Sequence, residues 1–384
     1  MRGYWERLGG ALDEGAPLFL GNYFAVRLLN QIRMNEVATY PNERLLRLPL
    51  HEYYERSNVA LIERNGWVLP KRFLALRDEM RLLENGSALV DFSDHGLLRL
   101  EGNDAVDFLN RISTNDFRKF TPGDSVQTVF TTEKGRVIGS VVVLHMKDDI
   151  LLVTSRGAQG GVKDWIEKFI IAEDLNVTDE TGQRLIFVMF HPLEHLDLYP
   201  GNIFHSKYFD IDAEFFICDP AADYPDQVRP YMNSQVGYDA FELYKIRRGI
   251  PQYDSEVMGE CNPLELNLWN QISFSKGCYI GQEVIARLDT YKKVQRSLCS
   301  FRAGTLLFPS KECRIVNSGK DIGIVTNCAG SDNDEGTFAG LGLVRKEFAL
   351  PDAEYSAGID GVPIIIEHVF DQTETTDGND INNC

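Results

Sequence analysis

Lys276-Gly277-Cys278-Tyr279-Ile280-Gly281-Gln282-Glu283 sits roughly three quarters of the way along a chain of 384 residues. Glycines lie on both sides of its cysteine, so the backbone can turn tightly and no bulky neighbour shields the thiol. Lys276 precedes the sulfur, and Gln282 and Glu283 follow it. A thiol near a cation ionises more readily, and the thiolate is the reactive form. A buried, inert cysteine is the commoner fate of this residue type. A core strand, however, has little use for glycine, lysine and glutamine around one sulfur. The stretch therefore predicts an accessible loop bearing a working thiol, Cys278, with Lys276 as the cation that activates it.

On the C-terminal side of this stretch, short apolar runs at 297–302, 322–326, 338–344 and 364–369 alternate with turns of Gly, Ser, Asn and Asp. That punctuation predicts a small all-β barrel or sandwich after a boundary near Val294. Residues 372–384 are polar and acidic and read as a disordered tail.

On the N-terminal side the pattern is mixed. Phe73, Leu76, Met80 and Leu83 predict a helix over 71–83 that stops at Asn85-Gly86. Strands are expected at 88–92 and 96–100. Asn103 or Asp104 then starts a helix with Val106, Leu109 and Ile112 on its apolar face. That helix gives way to the polar turn Ser113-Thr114-Asn115-Asp116. Strands at 125–131, 137–145 and 150–154 precede an amphipathic helix ending near 171, with Val162, Trp165, Ile166, Phe169 and Ile170 on one face. A buried strand at 185–190 and a helix over 240–248, closed by Gly249-Ile250-Pro251, complete the α+β pattern. Residues 201–235 read as an aromatic, turn-rich insertion, and residues 1–66 as an N-terminal extension of short elements. Gly157-x-x-Gly160-Gly161 lacks the dinucleotide spacing. His191 and His195 have Pro192 between them and no suitably spaced acidic partner, so no metal site is read.

Composition narrows the function. Hydrophobic residues make up 43% and charged residues 25%, as in a soluble globular protein. A net charge of −18 disfavours nucleic acid as a partner, because phosphate contacts need clustered Lys and Arg. No apolar run approaches the ~20 residues that span a bilayer, and the Met1 region shows no secretory pattern. Seven scattered cysteines without a Cys-x-x-Cys pair point to reduced thiols in the cytoplasm. Within 276–302, Lys276, Arg287, Lys292, Lys293, Arg296 and Arg302 face only Glu283 and Asp289. On charge alone this is either a patch for a small anionic ligand or a solvated surface.

The octapeptide resembles, at every position, the signature Lys-Gly-Cys-aromatic-Ile/Thr-Gly-Gln-Glu of the folate-binding YgfZ/GcvT-like family. Trp67-x-x-Pro70, Leu89-Val90-Asp91-Phe92-Ser93 and Leu100-x-Gly102-x-Asp104-x-x-x-Phe108-Leu109 are similar to the opening of the glycine-cleavage T-protein, an aminomethyltransferase. Thr114-x-Asp116 and Phe130-Thr131-x-x-x-Gly135-Arg136-Val137 continue that likeness. Gly249-Ile250-Pro251 and Pro263-x-Glu265-x-Asn267 resemble the YgfZ branch, and Val294-x-Arg296-x-Leu298 and Gly340-Leu341-Gly342 resemble the start and end of its barrel. Roughly residues 67–350 are covered. Two departures stand out. Lys245-Ile246-Arg247-Arg248-Gly249 replaces the usual Arg-Ile-Glu-Ala-Gly, and Val236-Gly237-Tyr238-Asp239 only echoes the Tyr-Thr-Gly-Glu-Asp-Gly segment of the T-protein.

The resemblance implies an aminomethyltransferase-like folate-binding fold, a ring of α+β subdomains closed by a small C-terminal β-barrel. Its parts would be an extension at 1–66, the folate-binding region at 67–294, the barrel at 295–371 and the tail at 372–384. Tetrahydrofolate would sit at the centre. Asp116 falls where the aminomethyltransferases keep the carboxylate that faces the reacting folate nitrogen, to stabilise an iminium or relay a proton. Taken alone, an aspartate in such a loop is more often a turn residue. Arg287 and Arg296 would meet the glutamate tail of the folate, and Glu242 or Glu265 would accept hydrogen bonds from its pterin. Three functions follow. The first is a tetrahydrofolate-binding protein that supports iron–sulfur cluster assembly or repair through Cys278, with iron–sulfur client or assembly proteins as partners. The second is a folate-dependent aminomethyl- or methyltransferase that uses Asp116. The third is a non-catalytic scaffold.

Overall fold

The computed structural model describes residues 45–192, 203–219, 229–252, 259–310, 312–332 and 336–371. The chain first builds a three-stranded sheet, ordered β1-β3-β2, from Leu46–Arg47 (β1), Ala60–Arg64 (β2) and Trp67–Arg72 (β3), with helix α1 at His51–Arg56. Lys71 and Arg72 thus finish a strand, and the helix expected from 71 begins at Leu76 (α2, Leu76–Asn85). Buried Glu79 explains the shift. Its carboxylate accepts the backbone N–H groups of Phe73 at 2.5 Å and Leu74 at 2.9 Å, which fixes 73–75 as the turn.

Ala88–Asp91 (β4), Gly96–Glu101 (β5), Ala105–Ile112 (α3), Ser125–Thr131 (β6), Val137–His145 (β7), Ile150–Thr154 (β8), Gln159–Phe169 (α4) and Asn176–Asp179 (β9) follow. One five-stranded sheet runs β6-β7-β8-β5-β9. Leu98 and Leu100 of β5 pack with Phe108, Leu109, Ile112, Val162 and Ile166 of α3 and α4, while Leu97 joins the core on the other face. This is the period of two that a strand buried on both faces must show.

A second five-stranded sheet, β11-β12-β10-β4-β13, contains Leu185–Phe190 (β10), Ile203–Tyr208 (β11), Ile211–Cys218 (β12) and Gln235–Val236 (β13). The segment read as an insertion therefore contributes, in its described part, a hairpin that is integral to this sheet. β12 pairs with β10 on one side and β11 on the other, and Ala213 to Cys218 are all buried.

Tyr238–Arg248 (α5) ends at Gly249, whose φ of 61° is left-handed, as the Gly-Ile-Pro stop predicts. The last two residues of the signature open a helix not foreseen from the sequence, Gln282–Thr290 (α6), in which only Ile285 is buried. The barrel closes in the order β14-β17-β16-β15-β18-β19, from Arg296–Ala303 (β14), Arg314–Asn317 (β15), Lys320–Gly330 (β16), Phe338–Arg345 (β17), Glu354–Ala357 (β18) and Val362–Phe370 (β19). All four expected runs fall in its strands. The two strands not foreseen, β15 and β18, are only four residues each, too short to show alternation. Leu298, Leu341 and Leu343 of the barrel share one core with Phe241, Leu243 and Ile246 of α5 and Val188 and Phe190 of β10. Helix α5 is thus the pin between sheet and barrel.

Candidate functional site

Three consecutive carbonyls of the Asp116 turn accept hydrogen bonds from the segment that opens the signature. Lys276 Nζ donates to the carbonyl of Ser113 at 2.9 Å and to that of Asn115, and Ser273 N–H donates to the carbonyl of Thr114 at 3.0 Å. Thr114 Oγ1 donates back to the carbonyl of Gln271 at 2.7 Å. Farther along, Thr131 Oγ1 donates to the carbonyl of Ile280 at 2.7 Å. Gly281 lies so close to this edge that a Cβ there would stand 2.6 Å from the carbonyl of Thr132, and its φ is +87°. Gly277, by contrast, has open space where a Cβ would go. The two glycines of the motif therefore serve different ends: one permits close packing and the other leaves a neighbour exposed.

Cys278 is exposed. Lys276 is buried, and its ammonium lies 5.4 Å from the centre of the Tyr279 ring. Burial lowers its pKa to about 8, partly opposed by Asp116. The cation that the sequence assigned to the thiol is engaged with the Asp116 turn.

Asp116 is held by its second neighbour. Arg118 Nε donates to both carboxylate oxygens, at 2.9 Å and 3.0 Å, and Nη2 to Oδ2 at 2.5 Å. Hydrogen bonding to Arg118 is the main reason that the carboxyl is lowered to about 2. Asn115 braces the same turn by donating to the carbonyl of Gln127 at 2.7 Å. The sequence reading missed Arg118, although its spacing from Asp116 made it visible.

Glu265 and Arg296, expected to face opposite ends of the ligand, face each other. Arg296 Nε and Nη2 bond the two oxygens of Glu265 at 2.9 Å and 3.0 Å, which joins the loop before the signature to β14. Arg287 stands exposed in the last turn of α6. The basic run is therefore not a single surface patch.

Glu242 lies in a separate buried network. Lys245 Nζ is 2.7 Å and Arg156 Nη1 3.5 Å from its Oε1, and Gln252 donates to its Oε2. Arg156 also pairs with Asp94, whose Oδ1 is 3.0 Å from His95 Nδ1. Burial pushes the carboxyls of Asp94 and Glu242 up, but the cations outweigh it and hold both below their ordinary values. His95 is shifted down, chiefly by burial. Opposite charges balance, as a buried cluster requires. Nothing in sequence spacing linked Asp94, Arg156 and Glu242. Nearby, Arg247 of the departed Lys-Ile-Arg-Arg-Gly segment bonds Glu84 of α2 at 2.9 Å and pairs with Asp332 of the barrel. Arg247 thus ties α5 to α2 and to the segment that follows β16.

Between these networks lies a small cavity of about 10 Å³, lined by Phe92, His95, Gln127, Ser140, Tyr208 and Phe209 among others. Phe92 stacks on His95 with centroids 4.0 Å apart and meets the Tyr208 ring edge-on. Gln127 Oε1 accepts the N–H of Phe209 at 2.9 Å, while its buried Nε2 has no partner among the described residues. Buried Gln271 is alike: Oε1 accepts from Ser140 at 2.7 Å and Nε2 is unpaired. A larger hollow on the surface, lined by Asp104, Asp107, Arg111 and Glu173, lies on other elements and holds none of these groups. His191 makes a 3.4 Å contact with the Tyr244 hydroxyl, and His195 lies outside the described residues.

Residues 50–192, which contain the Asp116 turn, match the GCVT N-terminal domain model. That stretch is thus similar to a GCVT N-terminal domain. A protein of Arabidopsis thaliana named as a chloroplastic transferase is 29% identical over 74% of this chain and 71% of its own length. The aminomethyltransferase of Shouchella clausii is 22% identical over 83% of this chain and 95% of its own. The crystal structure of the glycine cleavage system aminomethyltransferase T from Bartonella henselae superposes with a TM-score of 0.67 at 16% identity, over 85% of this chain and 98% of that one. The fold is thus aminomethyltransferase-like, with a GCVT N-terminal domain and a closed six-stranded barrel. Among the described residues no helix is long and apolar enough to cross a membrane.

Proposed function

We propose that this chain binds tetrahydrofolate and that Asp116 faces the one-carbon group carried on it, as in aminomethyl transfer. The observation that carries the reading is the docking of the signature segment onto the Asp116 turn, which fixes a carboxylate next to strand β6. A proton relay works best with a pKa near the operating pH. Asp116, lowered to about 2, is far from it and remains a standing negative charge. Such a charge is suited to a developing iminium cation. When bound, tetrahydrofolate would supply the nitrogen that carries the one-carbon unit. Arg287, exposed on α6, is the basic residue left to meet the glutamate tail. Relatives named as transferases agree with group transfer. Asp116→Asn tests the reading: transfer of a one-carbon unit to or from tetrahydrofolate should fall by at least about 100-fold with affinity little changed. Undiminished transfer would refute it.

A second reading, support of iron–sulfur cluster assembly or repair, is favoured by one observation. Cys278 is exposed beside this turn, whereas Cys218, Cys261, Cys299 and Cys313 are buried. Under it Cys278→Ala abolishes support of an iron–sulfur enzyme and leaves folate affinity intact, and unchanged support excludes it. The same proposal includes a reducing, cytoplasmic setting and the division into 67–294 and 295–371.

A further inference from the structure

We infer that Lys276 is a positioning residue for Asp116, not the activator of Cys278. The contact stands on the geometry, and its catalytic meaning rests on the role proposed for Asp116.

A lysine ammonium has three protons and no acceptor. Two directions are taken by the carbonyls of Ser113 and Asn115. Because the peptide unit is planar, holding the carbonyl of Asn115 sets the plane from which Asp116 begins. Other groups hold the N–H side of the same turn. Asn115 N–H donates to Thr128 Oγ1 at 2.9 Å, Asp116 N–H to Asn115 Oδ1 at 2.9 Å, and Phe117 N–H to Asn110 Oδ1 at 3.0 Å. Lys276 and Ser273 take the three carbonyls that this bracing leaves over. A turn held on both its donor and acceptor sides has little freedom left.

Lys276 is 5% exposed, and a buried ammonium must keep its donors satisfied, so these bonds are not optional. Its charge acts on Asp116 and Arg118, the pair at the end of the turn. Cys278, two residues on, is exposed to solvent, which screens any field from a buried neighbour. Carboxylate and thiol loops are consequently one mechanical unit, joined through a lysine whose effect falls on the carboxylate side.

The experiment uses the full chain. Wild type, Lys276→Met and Lys276→Arg are compared, without ligand, by amide hydrogen exchange and by the pH midpoint of Cys278 alkylation with iodoacetamide, located by mass spectrometry. Lys276→Met should speed exchange at residues 113–118 by about 10-fold or more relative to the barrel strands. It should leave the Cys278 midpoint within about 0.3 unit. Lys276→Arg, which keeps charge and donors, should retain much of the protection and reports on the contact if the Met variant does not fold. In tetrahydrofolate-dependent transfer, Lys276→Met combined with Asp116→Asn should be no worse than Asp116→Asn alone. A midpoint raised by about one unit, unchanged exchange at 113–118, or losses that multiply would each overturn the inference. If the wild type binds no tetrahydrofolate, the proposed function fails, while exchange and alkylation still decide the role of Lys276.

Discussion

Arg118 clamps Asp116 through a guanidinium that reaches both carboxylate oxygens, and the arginine itself is largely exposed. An incoming cation can therefore displace it at little cost, since solvent screens an exposed pair. The clamp lowers the Asp116 carboxyl to about 2, below its ordinary value, so its ionised form is present above the ordinary range and lost only as pH falls toward 2. Any transfer that needs this charge should keep its rate down to the onset of acid unfolding. Arg118→Ala should move the acid limb of the pH–rate profile up toward about 4. A limb that stays in place would show that Arg118 does not set the titration.

The two motif glycines should respond in opposite ways. Gly281→Ala forces a Cβ against the carbonyl of Thr132 at a left-handed φ and should cost about 1–3 kcal/mol in urea unfolding. Gly277→Ala meets open space and should stay within about 0.5 kcal/mol. Equal costs would contradict this division of labour.

Glu265→Ala leaves a half-buried Arg296 without the carboxylate that binds it at both nitrogens. Stability should drop by about 2–4 kcal/mol, read by chemical unfolding, with the barrel loosened at β14. Arg287→Ala should leave stability unchanged and weaken tetrahydrofolate binding in a salt-dependent way. A stability loss for Arg287→Ala would reverse the assignment.

Lys276 predicts an alkaline effect. Its folded value of about 8 lies below the unfolded value of about 10.4. Between these the unfolded chain binds more protons, so this group makes stability rise with pH across that window. Lys276→Met should abolish the rise in unfolding midpoints measured from pH 8 to 10. An identical slope in the variant would contradict the burial argument.

Iodoacetamide at pH 8 should modify Cys278 before the other described cysteines. Burial pushes the Cys218 thiol up to about 11 and those of Cys299 and Cys328 up to about 12. Peptide mapping checks the order, and faster modification of Cys299 would refute it.

Much of this was legible from residues alone. Periodicity located α3, α4 and most strands because each has a continuous apolar face, whereas α5, buried all round, was marked by its Gly249-Ile250-Pro251 stop. It failed where geometry overrode local pattern. Glu79 turned the first residues of an expected helix into a strand and turn, and the hairpin at β11 and β12 looked like punctuation because its partner β10 is distant in sequence. In the site, Asp116 and Cys278 could be singled out, but pairings could not. Spacing does not reveal that Glu265 takes Arg296, that Glu242 takes Lys245 and Arg156, or that Lys276 reaches back to Asn115. Charge sign alone made all of these look available to a ligand.

Calorimetric titration of the full chain with tetrahydrofolate should show saturable binding at one site, with the affinity weakened by Arg287→Ala and little changed by Glu265→Gln. No saturable binding up to about 1 mM, where affinity would be weaker than about −4 kcal/mol, would contradict the proposed function.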